Sequence, residues 1–242
     1  MTFLYYFVLY NIKTFYRGKK VFQIKAYNNC YQKNINNFSW FLFVDVDEFL
    51  YLKKPVSLQD YLADTKFQNC DNIFFNYKEI GDSDLLDYDE RPITKRFTKN
   101  FRYTHSMKFI VKGGIKDAKM NIHRPYNIER YCNSNGQNII PKSFLTPKIT
   151  VETAEIRHYL TKSIGEFFKK IKRGWPSTEL GSKSYHKFMN FRIKTFFELN
   201  KIIKAKYNKV CQLINDSVLL NNLIKKNNTF LKILFFSLSF KY

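Results

Sequence analysis

No Cys-x-x-Cys pair, no apolar run long enough to cross a bilayer and no internal repeat occurs in this chain of 242 residues. Its four cysteines, Cys30, Cys70, Cys132 and Cys211, lie far apart. That spacing suggests neither a zinc site nor a disulfide framework; small buried apolar side chains are their simplest role and a reducing cytoplasm their simplest setting. A spanning helix needs about 20 consecutive apolar residues, and neither the aromatic start (residues 1–15) nor the tail (residues 230–240) reaches that length. Near the start, the positive charges Arg17, Lys19 and Lys20 follow the apolar run, the reverse of a signal peptide, and no small-residue cleavage site accompanies it. Acidic residues are scarce, 20 against 41 Lys and Arg, for a net charge of +21. Such a field favours nucleic acid, phospholipid headgroups or phosphorylated substrates without choosing among them. The charge is spread along the chain with no helix-turn-helix, zinc or RNP-like motif, so no specific nucleic-acid partner is expected.

What is present excludes disorder: 45% hydrophobic and 18% aromatic residues. The length suits one substantial α/β core with a helical extension. The most informative stretch is Trp40-Phe41-Leu42-Phe43-Val44-Asp45-Val46-Asp47-Glu48-Phe49-Leu50. Five apolar residues without alternation suit a strand buried on both faces of a parallel sheet. Unpaired buried carboxylates are costly, so the strand is expected to end where Asp45, Asp47 and Glu48 begin. In open α/β sheets the carboxyl end of a strand is where ligands bind. Asp45 and Asp47 can point hard oxygen ligands to one side, as Mg²⁺ or Mn²⁺ carrying a phosphate requires. Asp-x-Asp by itself is weak and reads equally as a solvated acidic turn. The apolar run before it and Glu-Phe-Leu after it turn the reading toward a metal.

Along the rest of the chain, residues 1–15 read as a strand or a short helix and 21–31 as a short helix. Pro55 ends the element that follows the carboxylates. Ser57 is the expected N-cap of a helix over 58–63. Residues 73–77 read as a second buried strand, with the acidic loop Gly81-Asp82-Ser83-Asp84 at its carboxyl end, and 109–111 as a short strand closed by Gly113-Gly114. From about Ser163 the pattern is helical: Phe167, Phe168 and Ile171 form one face and Lys169, Lys170, Lys172 and Arg173 the other, until Gly174 and Pro176 stop it. The expected organisation is a mixed α/β domain over residues 1–176 and a basic helical extension over 177–242.

Several stretches, taken in order, resemble one family. They are Gly18-Lys19-Lys20 through Cys30, residues 40–50, Phe75-Asn76-Tyr77 with the Gly81–Asp84 loop and Arg91-Pro92 to Thr98, residues 108–116, His123-Arg124-Pro125, and His158-Tyr159-Leu160-Thr161-Lys162-Ser163 with Glu166-Phe167 and Arg173-Gly174. Together they resemble glycosyltransferases of the bacterial family-2-like and family-92-like group, over roughly residues 16–176. The resemblance implies a GT-A-type nucleotide-sugar fold: a mixed sheet flanked by helices. It also implies transfer of a sugar from a nucleotide-sugar donor to a glycan or lipid-linked acceptor of the lipopolysaccharide or capsule type.

The site residues follow from that resemblance. Asp45 and Asp47 fall on the family's metal-binding Asp-x-Asp, and a divalent Mn²⁺ or Mg²⁺ would stabilise the departing nucleoside diphosphate. His123 and His158 fall at its two histidine positions. One of the two is expected to complete the metal site or touch the diphosphate, and the resemblance leaves open which; His123 is grouped with the metal ligands and His158, near Lys162, with the donor contacts. Lys108, Lys162 and Arg173 are at matched basic positions for donor phosphates. Asp82 and Asp84, with Glu48 behind them, are the carboxylates for taking the acceptor hydroxyl proton. A basic amphipathic face would hold the enzyme peripherally on anionic headgroups at the inner face of the membrane. The chain departs from the family at Phe109, where Ser is common, and at Gly165, where an acidic residue is common. The family also has a further βαβ region before the Asp-x-Asp strand. Only 39 residues precede Trp40 here, so the domain is expected to be N-terminally truncated; either the base is bound differently, or the alternative to an active enzyme is an inactive remnant.

Overall fold

A computed structural model describes residues 3–5, 22–99 and 101–173. In chain order its elements are β1 (Phe3–Tyr5), α1 (Phe22–Asn34), β2 (Trp40–Leu42), β3 (Glu48–Leu52) and α2 (Leu58–Ala63). A 3₁₀ turn (Thr65–Phe67), β4 (Asn72–Ile80), α3 (Ile93–Arg96), β5 (Phe101–Lys112), β6 (Tyr131–Asn133), β7 (Ala154–His158) and α4 (Ile164–Arg173) follow. The α/β expectation holds. The described chain divides into two compact units, residues 1–80 with 101–160 and residues 81–100 with 161 onward.

The first unit is a mixed sheet in the order β1-β2-β5-β4-β7-β3, with β6 added beside β4. The apolar run at Trp40 does form a strand, ending before the carboxylates. It has one parallel neighbour, β1, and one antiparallel neighbour, β5, so the all-parallel setting expected from its lack of alternation is only half met. Burial on both faces, which either kind of neighbour allows, is what its residues encode. β4 is the spine. It runs antiparallel to β5 along its whole length, while its other edge is shared, Asn72–Phe74 pairing with β6 and Tyr77–Glu79 with β7, both parallel.

Three strands extend beyond what apolar patterning indicates. β4 continues past Tyr77 because its polar residues find partners: Asn76 donates to the Thr146 hydroxyl (2.6 Å) and Glu79 accepts from Arg102 Nε (2.8 Å). β5 begins at Phe101 rather than Phe109, its basic and aromatic residues lying along β4. β3 follows the carboxylates directly, with Phe49 and Tyr51 exposed and Glu48 buried, and pairs antiparallel with β7.

Two apolar layers enclose the sheet. α1 covers one with Tyr27 and Tyr31, packed on Phe41, Phe43, Phe74 and Phe109; the Tyr27 and Phe43 rings stack at 4.5 Å. Side-chain bonds also tie α1 to the rest, since Asn28 exchanges two 2.8 Å hydrogen bonds with the Met120 backbone and Tyr31 Oη donates to the Lys112 carbonyl. The other layer holds Trp40, Tyr61, Leu62, Phe67, Ile73, Phe75, Tyr77, Ile110 and Ile156. Its helix α2 starts as expected, with Ser57 Oγ accepting from the Asp60 N–H at 3.0 Å. Gly113 closes β5 where no side chain fits, because a Cβ there would lie 2.0 Å from the Phe38 carbonyl oxygen.

In the second unit α4 begins at a reciprocal cap. The Glu166 N–H donates to Ser163 Oγ (3.3 Å), and the Glu166 carboxylate accepts from the Ser163 N–H (3.3 Å) and hydroxyl (2.7 Å). Arg96, from α3, pairs with the same carboxylate at 2.8 Å. No described helix is long and apolar enough to cross a membrane. The extension expected over 177–242 lies outside the described residues.

One expectation is overturned. Cys70 and Cys132 form a disulfide, 62 residues apart in sequence. The parallel pairing of β4 with β6 brings them together, and sequence spacing carries no trace of that pairing. Since such bonds persist in oxidising compartments, the inference from cysteine spacing to a reducing cytoplasm loses its basis. Cys30 is free and buried as expected, its thiol pushed up to about 11 by burial. Replacing both Cys70 and Cys132 by Ser is expected to lower stability by about 2–5 kcal/mol, measured by denaturant unfolding. Equal midpoints, or a full complement of free thiols in the untreated protein, would show that the bond does not form.

Candidate functional site

The turn between β2 and β3 carries the three carboxylates, and each meets a different environment. Glu48 opens β3 and is buried, 4% exposed. Its Oε2 accepts from the Asp45 N–H (2.9 Å) and faces Lys108 Nζ (3.2 Å), while its Oε1 accepts from Tyr77 Oη (2.7 Å). Asp45 projects outward, with 41% of its side chain exposed. Gln23 Nε2 of α1 donates to its Oδ1 (2.8 Å), and Lys108 Nζ lies 3.5 Å from its Oδ2. Asp47 is nearly buried, its carbonyl accepting from the Tyr159 N–H (2.8 Å) and its Oδ1 lying 3.9 Å from His158 Nε2.

Burial and charge compete here. Burial pushes the Glu48 carboxyl up, against the pull of Lys108. For Lys108 burial works downward, and Glu48, Tyr27 and Asp45 more than offset it, holding the amine above its ordinary value. The geometry decides the state. The groups aimed at Glu48 are donors, as an ionised carboxylate requires, so Lys108 and Glu48 form a buried ion pair. Tyr77 is raised well above its ordinary value by burial and by Glu48, so its hydroxyl stays a donor.

The sheet register delivers the histidine. Glu48 of β3 pairs with His158 of β7, and His158 with Glu79 of β4, so the three stand in one row on one face. Tyr77 lies between both histidines, its ring centroid 5.0 Å from His158 and 6.1 Å from His123. His123 Nδ1 donates to the Met107 carbonyl (3.1 Å) and lies 3.3 Å from Tyr77 Oη. Among the described residues no group of three His, Cys, Asp or Glu stands ready-made around one point.

The structure therefore brings together Asp45, Asp47, Glu48, Lys108, His123 and His158. Lys108, expected at a donor phosphate, is fully buried. Glu48, expected behind the acceptor-side carboxylates, is enclosed by its three donors. The acceptor-side candidates Asp82 and Asp84 belong to the second unit. Asp82 is fully buried rather than a solvated turn residue, its Oδ1 accepting from the Asp84 N–H (2.9 Å), and Ser83 and Asp84 adopt positive φ of 49° and 68°. Lys162 and Arg173 are in that unit too, Arg173 as the last residue of α4. Sequence reasoning missed Gln23, Tyr77 and Glu79 as members of the site. Gln23 and Tyr77 lie inside stretches that carry the family resemblance, which is the one signal that points to them.

Compared with known proteins, residues 10–213 match the profile of glycosyltransferase family 92. The chain belongs to that family, and the match runs past residue 176 into the segment read above as an extension. No curated protein matches it.

Lys108→Met is expected to destabilise the fold by about 3–5 kcal/mol, because it leaves the Glu48 charge buried without its cation. Urea unfolding measures this. A loss below about 1 kcal/mol, the size typical of an exposed pair, would show that the ammonium is not enclosed as described.

Proposed function

We propose that this glycosyltransferase domain moves a sugar from a nucleoside-diphosphate donor to a glycan acceptor at the Asp45–Asp47 turn, with a divalent cation shared by Asp47 and His158. The observation that carries this reading is the 3.9 Å between Asp47 Oδ1 and His158 Nε2. That is too long for a hydrogen bond and within the span of two ligands bound at about 2.1 Å each. The donor set fits the group. A carboxylate with an imidazole suits Mn²⁺ better than Mg²⁺, and a site of few protein ligands leaves positions for water and phosphate oxygens, the usual way such ions carry nucleotides. When bound, the cation supplies Lewis-acid stabilisation of the leaving diphosphate.

The chain's own residues then have distinct tasks. Asp47 and His158 would hold the ion; both are nearly buried, where a charge is screened less than at the surface. Asp45, gripped by Gln23 and Lys108 and still open to solvent, presents a fixed carboxylate to the donor. Tyr77 orients the surroundings of both histidines through Glu48. His123, its Nδ1–H donated to the Met107 carbonyl, remains a proposed contact of the ion or the donor. For the acceptor proton, Asp84 remains the proposed carboxylate, with a cell-surface glycan as acceptor, and the fully buried Asp82 accepts from the Asp84 N–H behind it. Lys162 and Arg173 remain the proposed phosphate contacts, and the basic face of α4 the proposed contact with an anionic membrane.

The test is metal-dependent stabilisation. Millimolar Mn²⁺ with a nucleoside diphosphate is expected to raise the melting temperature of the wild-type protein. Asp47→Ala and His158→Ala are each expected to lose that shift and to lower sugar transfer by about two orders of magnitude or more. A wild-type protein that melts at one temperature with and without Mn²⁺ and nucleotide contradicts the reading.

A further inference from the structure

We infer that Lys108 is a positioning residue for the donor site, acting through Asp45. It is an internal cation that fixes the outward carboxylate and leaves Asp47 and His158 to face the metal. The inference rests on the nucleotide-sugar reading above and adds a division of labour within Asp-x-Asp. An ion pair serving the fold alone would be complete with Glu48, at 3.2 Å. The same ammonium also lies 3.5 Å from Asp45 Oδ2, while Gln23 Nε2 donates to the other oxygen, Oδ1, at 2.8 Å. The carboxylate is thus gripped by α1 and by β5 although 41% of its side chain faces solvent. An aspartate in an exposed turn otherwise samples several rotamers, and ordering it on binding costs free energy. Holding it beforehand removes that cost, the usual role of groups behind a binding residue.

Charge points the same way. Asp45, Asp47 and Glu48 fall within four residues, and their mutual repulsion opposes the turn. Lys108 cancels one of the three charges from inside, where solvent does not screen it. The remaining two equal the charge of one divalent cation. Because Lys108 is fully buried, its effect on the donor runs through Asp45 and not through contact.

The test uses the whole chain, with UDP, GDP or CDP in the presence of Mn²⁺ as the probe, whichever wild type binds, followed by calorimetry. Lys108→Met with Glu48→Gln removes the pair without leaving a buried orphan charge. This double variant is expected to melt within about 4 °C of wild type and to bind the probe about 10- to 100-fold more weakly, as loss of an outer-shell partner does. Added to Asp45→Asn, the two changes should weaken binding no further, because their route runs through Asp45. Wild-type affinity in the double variant, a further multiplied loss in the Asp45→Asn background, or collapse of the double variant's melting transition would each overturn the inference. Failure of wild type to bind any of the three nucleotides is a different result: it removes the nucleotide-sugar reading, and this inference with it.

Discussion

A charge enclosed in a protein interior needs a partner within contact distance, and the arrangement of this domain around its carboxylate turn follows from that requirement. Lys108 and Glu48 lie on β5 and β3, strands that do not pair with each other, and their contact closes the space between them. Either group alone would carry a desolvation penalty of several kcal/mol; together, with Tyr77 of β4 and the Asp45 N–H adding hydrogen bonds, they form one satisfied unit. The turn 45–47 is held above that unit. Its outward carboxylate, Asp45, meets the buried pair at Lys108 Nζ, 3.5 Å away.

The same unit explains how a site for a polyanionic donor is built in a protein with few acidic residues. The net charge of +21 draws phosphorylated ligands toward the molecule as a whole. The proposed cation site requires the opposite sign locally. Clustering carboxylates in one turn would supply it, with Lys108 limiting the repulsion that clustering creates. His158 arrives from more than a hundred residues away, because β7 pairs with β3 on one edge and with β4 on the other.

Much of this was legible along the chain. The apolar run at Trp40 and the one at Ile73 marked β2 and β4, since a continuous hydrophobic stretch can be solvated on neither face. Ser57 and Ser163 marked helix starts, because capping is a contact between residues three apart. The Asp45–Asp47 pattern stood out at the end of its apolar run, and both histidines came from ordered resemblance to a glycosyltransferase group; the family match agrees with that group at the level of family 92. Less legible were β3 and the first half of β5, whose exposed aromatics and basic residues show no apolar run. Also hidden were the Cys70–Cys132 bond and the inward turn of Lys108. Each of these depends on strand pairing between distant residues, and composition near a residue says nothing about which distant residue it meets.

What the sequence by itself determined was therefore local: which stretches must be buried, where helices begin, and which side chains are chemically able to hold a cation. The tertiary structure decided which of them meet. It placed Lys108 inside, beside Glu48, and set His158 3.9 Å from Asp47. The physical reason is that a titratable side chain takes its role from burial and from the charges beside it. In a mixed sheet those neighbours come from register, which joins residues that the chain keeps far apart.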